Sequence, residues 1–274
     1  MAEGATVALG VPLYTFVSGD WFQHVLALKY PNPPVVITSS GALTDKARCE
    51  IASRFLSSGA EWLFFLDDDV LPPNDAVLML LETANRYDAP FVTGVYYKRA
   101  APFDPLIYRQ LPDGLYQAVL DMPEQPFYVD ACGLGCALIH RGVFERIMAV
   151  HKVVLVYGKP FPVPLVKRGP KGPEGVYFNG HHVCIPAEEV DILTEPWPFF
   201  LFFGGRTEDL FFAELCREAG IRIVCDPRVQ CWHQGLAHFG RPHLEAVLEK
   251  HGRAAYDQAL GGWKPELVKE KPHG

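Results

Sequence analysis

The sequence predicts an α/β fold, a single domain built on a mostly parallel central sheet flanked by helices, with a C-terminal helical extension. Three observations predict it. Strand-like and helix-like segments alternate through the first hundred residues, the order that builds a parallel sheet covered on both faces. The strand-like segments are near-continuous apolar runs without polar alternation, as burial on both faces requires. One such run, Glu61-Trp62-Leu63-Phe64-Phe65-Leu66, stops on Asp67-Asp68-Asp69. Open α/β sheets bind ligands beyond the carboxyl ends of their strands, and the three acids stand at such an end.

The elements follow in order. Thr6 to Pro12 reads as a first strand, and Asp20 to Lys29 as a helix closed by Pro31, Pro33 and Pro34. Val35-Val36-Ile37-Thr38 is a β-branched run, hence a second strand. Asp45 to Ser58 is helical, with Ile51, Ala52, Phe55 and Leu56 on one face and Gly59 as the stop. After the strand to Asp67, Pro72-Pro73-Asn74 opens another helix, with Asn74 as N-cap and Asp75 favourable to the dipole. Phe91 to Tyr96 is the next strand. Leu106–Arg109 and Leu115–Ala118 flank Pro112-Asp113-Gly114 and predict a hairpin. His151 to Pro186 is rich in Pro, Gly and Lys and reads as a long loop excursion (151–186). Thr207 caps a helix that stops at Gly220, Ile221–Cys225 and Val229–His233 are short strands, and Arg241 to Leu260 is a final amphipathic helix. The tail from Gly261 to Gly274 is expected to be loosely held. The domain is therefore placed at residues 1–240, with 241–274 as C-terminal helix and tail.

Composition narrows the function. A chain of 274 residues, 49% hydrophobic, has ample core for one large domain. A net charge of −7 argues against a nucleic-acid binder, which would show a basic field. No basic flank precedes an apolar run at the N-terminus, so no signal peptide is expected. The longest apolar stretch, around Trp197 to Phe203, is far too short to span a membrane. Seven scattered cysteines suit a reducing compartment, so a cytoplasmic location is expected. Cys132, Cys136, Cys225 and Cys231 lack CxxC spacing, which favours small core residues over structural zinc. The 24 prolines cluster in loops, in keeping with stiffened connections.

Four separated motifs carry chemistry. Three adjacent acids at the end of a buried strand repel one another unless a cation sits there. Mg²⁺ or Mn²⁺ suits carboxylate oxygen, with Asp67 and Asp69 as the metal pair; the bland alternative is a solvated acidic turn. Lys46-Ala47-Arg48 could place a cation near a diphosphate, though taken alone Arg48 reads as a surface arginine. In Gly205-Arg206-Thr207-Glu208-Asp209 the two acids either compensate a helix dipole or supply a general base. His233, at a strand end, is either a satisfied polar residue or a third metal ligand.

Together, and in this order, these residues resemble a nucleotide-sugar glycosyltransferase of the GT-A fold, family 2-like, over roughly residues 5 to 236. The resemblance implies a Rossmann-like sheet. It makes Asp67-Asp68-Asp69 a DxD motif that binds Mn²⁺ or Mg²⁺ and the donor diphosphate, Asp68 facing ribose or sugar. Ala47-Arg48-Cys49 matches a donor-binding element at Arg48 but lacks its asparagine. Gly133 and Gly135, in the segment running to Arg141 and Phe144, would line the donor sugar. Asp209, or Glu208 in second place, would be the catalytic base, and His233 would complete the metal site. Val11, Pro12 and Tyr14 would lie by the nucleoside base, and Trp197 and Phe199 would offer an apolar face to the acceptor. The implied reaction is hexosyl transfer from a UDP- or GDP-sugar to a hydroxyl of a carbohydrate or other acceptor, with inversion. A metal-dependent nucleotidyltransferase or phosphoryl-transfer enzyme is the competing class. A non-catalytic sugar-binding module on the same fold is another.

Overall fold

The computed structural model describes residues 4–14, 16–156, 159–164, 176–178, 181–183, 196–235, 238–251 and 265–271. The first half follows the predicted alternation: β1 Val7–Leu13, α1 Gly19–Ala27, β2 Val35–Ser40, α2 Thr44–Ser58, β3 Trp62–Leu66, β4 Val70–Leu71, α3 Ala76–Tyr87 and β5 Phe91–Val95. Ser18 caps α1, its hydroxyl accepting the Trp21 N–H at 3.0 Å. Gly59 ends α2 in the left-handed region at φ 79°, where glycine carries no Cβ penalty. Helix α3 starts later than the Pro-Pro-Asn signal predicts: Asp75 stands at the N-cap without a side-chain bond. The Asn74 carbonyl instead accepts the Lys29 N–H at 2.8 Å, tying this turn to the end of α1.

The second half comprises β6 Ile107–Gln110, β7 Tyr116–Ala118, β8 Phe127–Val129, β9 Ala131–Cys132, β10 Cys136–His140, α4 Arg141–Val150, β11 His151–Val156 and β12 Lys159–Pro164. Then come β13 Val176–Phe178, β14 His181–Val183, α5 Glu208–Glu218, β15 Ile223–Gln230, β16 Trp232–Gln234, β17 His238–Phe239 and α6 Arg241–His251. The predicted hairpin is β6–β7. The expected excursion, where described, holds two antiparallel pairs, β11–β12 and β13–β14; its remainder lies outside the described residues. The two short strands predicted after α5 are largely one, β15, whose register on β5 shifts between Cys225 and Gln230, where Asp226-Pro227 interrupts the ladder. The predicted final helix is described to His251, and residues 252–260 lie outside the described residues.

Seven strands form the central sheet in the order β2-β1-β3-β10-β5-β15-β8. All run parallel except β10 and the edge strand β8. The inserted β10 is the largest departure from expectation. Its apolar run, Cys136-Ala137-Leu138-Ile139, suits a central position buried on both faces, but no strand is predicted for this segment. The sheet separates two cores. Leu63 and Phe65 face one, with Phe55, Phe144 and Phe212; Phe64 and Leu66 face the other, with Val77, Leu80 and Tyr96. That alternation is the two-residue period of a strand with apolar side chains in both directions. The tail is docked rather than loose over residues 265–271. Its Glu266 carbonyl accepts from Tyr128 N and its Val268 N donates to the Pro126 carbonyl, covering the free edge of β8.

Candidate active site

Strand β3 delivers three adjacent carboxylates to its carboxyl end, and each finds a different partner. Asp67 Oδ1 accepts from Arg48 Nη2 at 2.7 Å. Asp68 Oδ2 accepts the Tyr14 N–H at 2.8 Å, which joins the end of β1 to the triplet. Asp69 Oδ2 lies 2.8 Å from Arg99 Nη1, and its Oδ1 3.3 Å from His233 Nε2. The backbone is held as tightly: the Asp67 carbonyl accepts from Trp21 Nε1 at 2.8 Å and the Asp69 carbonyl from Gln234 N at 2.6 Å. Spreading the charges over separate partners relieves the repulsion expected of three neighbouring acids. Burial still pushes the Asp68 carboxyl above its usual range, and Asp69 and Asp67 push the same way.

Arg48 is not the surface arginine that its helix suggests. It is 2% exposed, stacked 5.2 Å from the Phe65 ring centre, and its Nε reaches Glu208 Oε1 at 3.3 Å. It bridges the end of β3 to the first turn of α5 and presents no surface to a diphosphate. Its Nη1 is buried without a hydrogen-bond partner. The signal was present in α2, where Arg48 lies three, four and seven residues before Ile51, Ala52 and Phe55, on the buried face.

Glu208 and Asp209 open α5 with different surroundings. Glu208 is buried; desolvation pushes its carboxyl up and Arg48 opposes that. Asp209 is half-buried and accepts the Thr207 hydroxyl and the Leu210 N–H, the latter at 2.8 Å. Thr207 stands at the N-cap, but its side chain serves Asp209 rather than a helix N–H. Desolvation also raises the Asp209 carboxyl, and the nearby Arg48 and Asp67 charges act on it in opposite directions.

Gly133 and Gly135 are explained by packing. A Cβ on Gly133 would lie 2.2 Å from Tyr96 Oη, and one on Gly135 2.9 Å from Asp67 Oδ2. Tyr96 Oη in turn accepts the Gly135 N–H at 3.0 Å. These glycines make room for Tyr96 and for the approach of β10 to Asp67. His233 Nδ1 lies 2.6 Å from the Tyr97 carbonyl, which can only accept, so Nδ1 carries the proton. Nε2 is thereby turned toward Asp69.

A metal fits these donors in part. Two ligands at right angles on an ion with bonds near 2.1 Å stand roughly 3 Å apart, close to the Asp69–His233 spacing of 3.3 Å. Among the described residues no group of three or more His, Cys, Asp or Glu is arranged to hold an ion, so Asp67 is not gathered with the other two. Two protein donors plus phosphate and water oxygens is nonetheless a usual arrangement for Mg²⁺. Cys132, Cys136, Cys225 and Cys231 are buried free thiols; burial pushes Cys132 up to about 12.

A cleft of about 530 Å³ opens at the ends of β1 and β3, lined by Pro12, Tyr14 and Asp67 to Asp69 among others. Val11 is buried within β1 and supports this wall without lining it. Among the lining residues that escaped sequence reasoning are Phe16, 93% exposed beside Tyr14, and Arg99, which follows β5. A cation two residues beyond the next buried stretch, and a second aromatic two residues after Tyr14, were the available signals. Phe199 does not face the cleft: it is wholly buried, edge-on to Phe144 at 5.0 Å, with Trp197 tilted against it at 4.3 Å. Those two aromatics belong to the core rather than to an acceptor platform.

No family model and no curated protein sequence matches this chain. Among solved structures it is similar to the crystal structure of A197 from STIV, at 17% identity and a TM-score of 0.51, covering 84% of this chain and 86% of that one. A likeness at that identity shows the fold, a mixed α/β domain with a central, mostly parallel sheet flanked by helices. Among the described residues no helix is long and apolar enough to cross a membrane.

Proposed function

We propose that this chain is a metal-dependent glycosyltransferase that moves a sugar from a nucleoside-diphosphate sugar to an acceptor hydroxyl. The observation that carries this reading is the cleft: three carboxylates at the end of β3 face an entrance bordered by Tyr14 and Phe16. Its 530 Å³ lies within the range of sites for small ligands. The exposed rings of Tyr14 and Phe16 suit the face of a nucleobase. Asp69 and His233 are the residues that would hold Mn²⁺ or Mg²⁺. When bound, the ion would neutralise charge on the departing nucleoside diphosphate.

Asp209 is the proposed base. Its basicity, raised by burial, suits proton removal from the acceptor hydroxyl as that oxygen attacks the anomeric carbon. The new carbon–oxygen bond forms, the bond to the donor phosphate breaks, and the proton ends on Asp209, with inversion. Glu208 is the weaker choice because Arg48 already engages its carboxylate. Arg48 acts as a positioning residue, holding Asp67 and Glu208 in register.

Incubation with UDP- and GDP-sugars and Mn²⁺ should release the nucleoside diphosphate. Release of nucleoside monophosphate would assign the chain to phosphoryl transfer instead. Asp69→Ala should abolish metal-dependent nucleotide binding; unchanged binding would move the site elsewhere. Product NMR showing a retained anomeric configuration would sink the direct displacement by an acceptor activated at Asp209.

A further inference from the structure

The proposed donor is a polyanion, and the cleft meets it with three carboxylates, Asp67, Asp68 and Asp69. Among the described residues lining the cleft, one side chain is cationic, Arg99. Two nearby cations are otherwise engaged: Arg48 is buried between Asp67 and Glu208, and Lys98 is paired with Asp104 at 3.1 Å. Arg99 differs. One nitrogen, Nη1, is held 2.8 Å from Asp69 Oδ2, while the side chain stays 53% exposed. A guanidinium has five N–H donors in a rigid plane, so one tethered corner leaves most of the fork for another anion. The tether is the same carboxylate whose other oxygen faces His233 Nε2.

We infer that Arg99 is the diphosphate-binding residue of this cleft, aimed by Asp69 so that a phosphate oxygen beside Asp69 and His233 meets the guanidinium. Arginine suits the task because it grips phosphate through paired N–H donors. The inference rests on the glycosyltransferase reading and assigns the donor's diphosphate to a residue outside every motif of the sequence. The same carboxylate then serves two roles, a ligand on one oxygen and an anchor for the phosphate-binding cation on the other.

Titration calorimetry on the full chain tests this with Mn²⁺ alone, with UDP or GDP plus Mn²⁺, and with uridine or guanosine plus Mn²⁺. Arg99→Gln should weaken diphosphate binding about 10- to 100-fold, the effect of losing a charge-assisted hydrogen bond. Nucleoside affinity should stay unchanged. Mn²⁺ alone should bind as well or better, because a cation that repels it has left Asp69. Arg99→Lys should recover part of the loss. Unchanged diphosphate binding in Arg99→Gln overturns the assignment. So does a parallel loss of Mn²⁺ and diphosphate, which would mean that Arg99 only braces Asp69. If the wild type binds neither diphosphate with Mn²⁺, the glycosyltransferase reading itself falls and this inference with it.

Discussion

The two ends of the aspartate triplet meet cations in opposite surroundings, Arg48 buried and Arg99 half in solvent. Asp67, itself 22% exposed at the cleft, pairs with Arg48, which is 3% exposed and shared with Glu208 at 10%. Asp69, two residues on, meets Arg99 and His233 at the cleft, where Arg99 is half in solvent. At the dry end, separating the charges leaves buried ions without partners, so the contacts hold geometry. At the wet end, water screens the same kind of contact and a ligand can exchange into it at little cost. One strand end thus supplies both a rigid frame and an adaptable binding edge.

Arg48→Met breaks the dry end and should have the largest effect on stability, about 3–5 kcal/mol, because it leaves Glu208 buried, and Asp67 partly so, without their cation. Urea unfolding measures it. A loss no greater than that of Arg99→Gln would erase the distinction between the ends. Adding Glu208→Gln should return part of the loss, since the two residues share one contact.

Asp209→Asn should lower turnover about 10²- to 10⁴-fold, the usual contribution of a general base. Its effect on stability has a definite sign. Burial raises the folded-state carboxyl above its unfolded value. The stabilisation is therefore complete below the ordinary carboxylate range, about 4, and is lost as pH rises through the raised value. Asp209→Asn should flatten stability against pH in that window, while wild-type turnover climbs through it as the base ionises. Unfolding curves and pH–rate profiles together check both halves; Asp68 and Glu208, also raised, leave a residual slope of the same sign.

Tyr96 joins the two ends. It holds Gly135 beside Asp67 and lies edge-on to His233 at 5.3 Å. Gly133→Ala drives a Cβ into its hydroxyl and should cost about 1–3 kcal/mol, the range for overpacking. Thermal unfolding should show that cost, and Mn²⁺ titration should show weakened binding at the other end. The smallest effect is expected for Arg99→Gln in the absence of ligand, less than about 1 kcal/mol, as for other exposed ion pairs. A larger cost in urea unfolding would mean that the wet end also carries structure.

Much of the frame was legible. The apolar runs at β1, β3 and β5 declared strands covered on both faces, and glycines marked the ends of α2 and α5. The acid triplet marked the end of β3 at which the cleft opens. Strand β10 was missed because Gly133 and Gly135 drew the segment a donor-sugar role, whereas their space is taken by Tyr96. Trp197 and Phe199 looked like a ligand face because an aromatic run carries no label for which way its rings turn. Arg48 was misplaced by charge type, although its spacing to Ile51, Ala52 and Phe55 pointed to the core.

By itself the sequence determined the local periods, the glycine stops of α2 and α5 and the grouping of charge, because these depend on neighbours within a few residues. Only the tertiary structure decided which aspartate meets which cation. Those partners lie far apart in the chain: Glu208 is 160 residues from Arg48, and His233 is 136 from the Tyr97 carbonyl that orients it. Such pairs form where the sheet order brings strand ends together, and their energies depend on the water left between them. The triplet reads as three like acids in sequence; folding gives Asp67 a buried cation and Asp69 an exposed one at the same cleft.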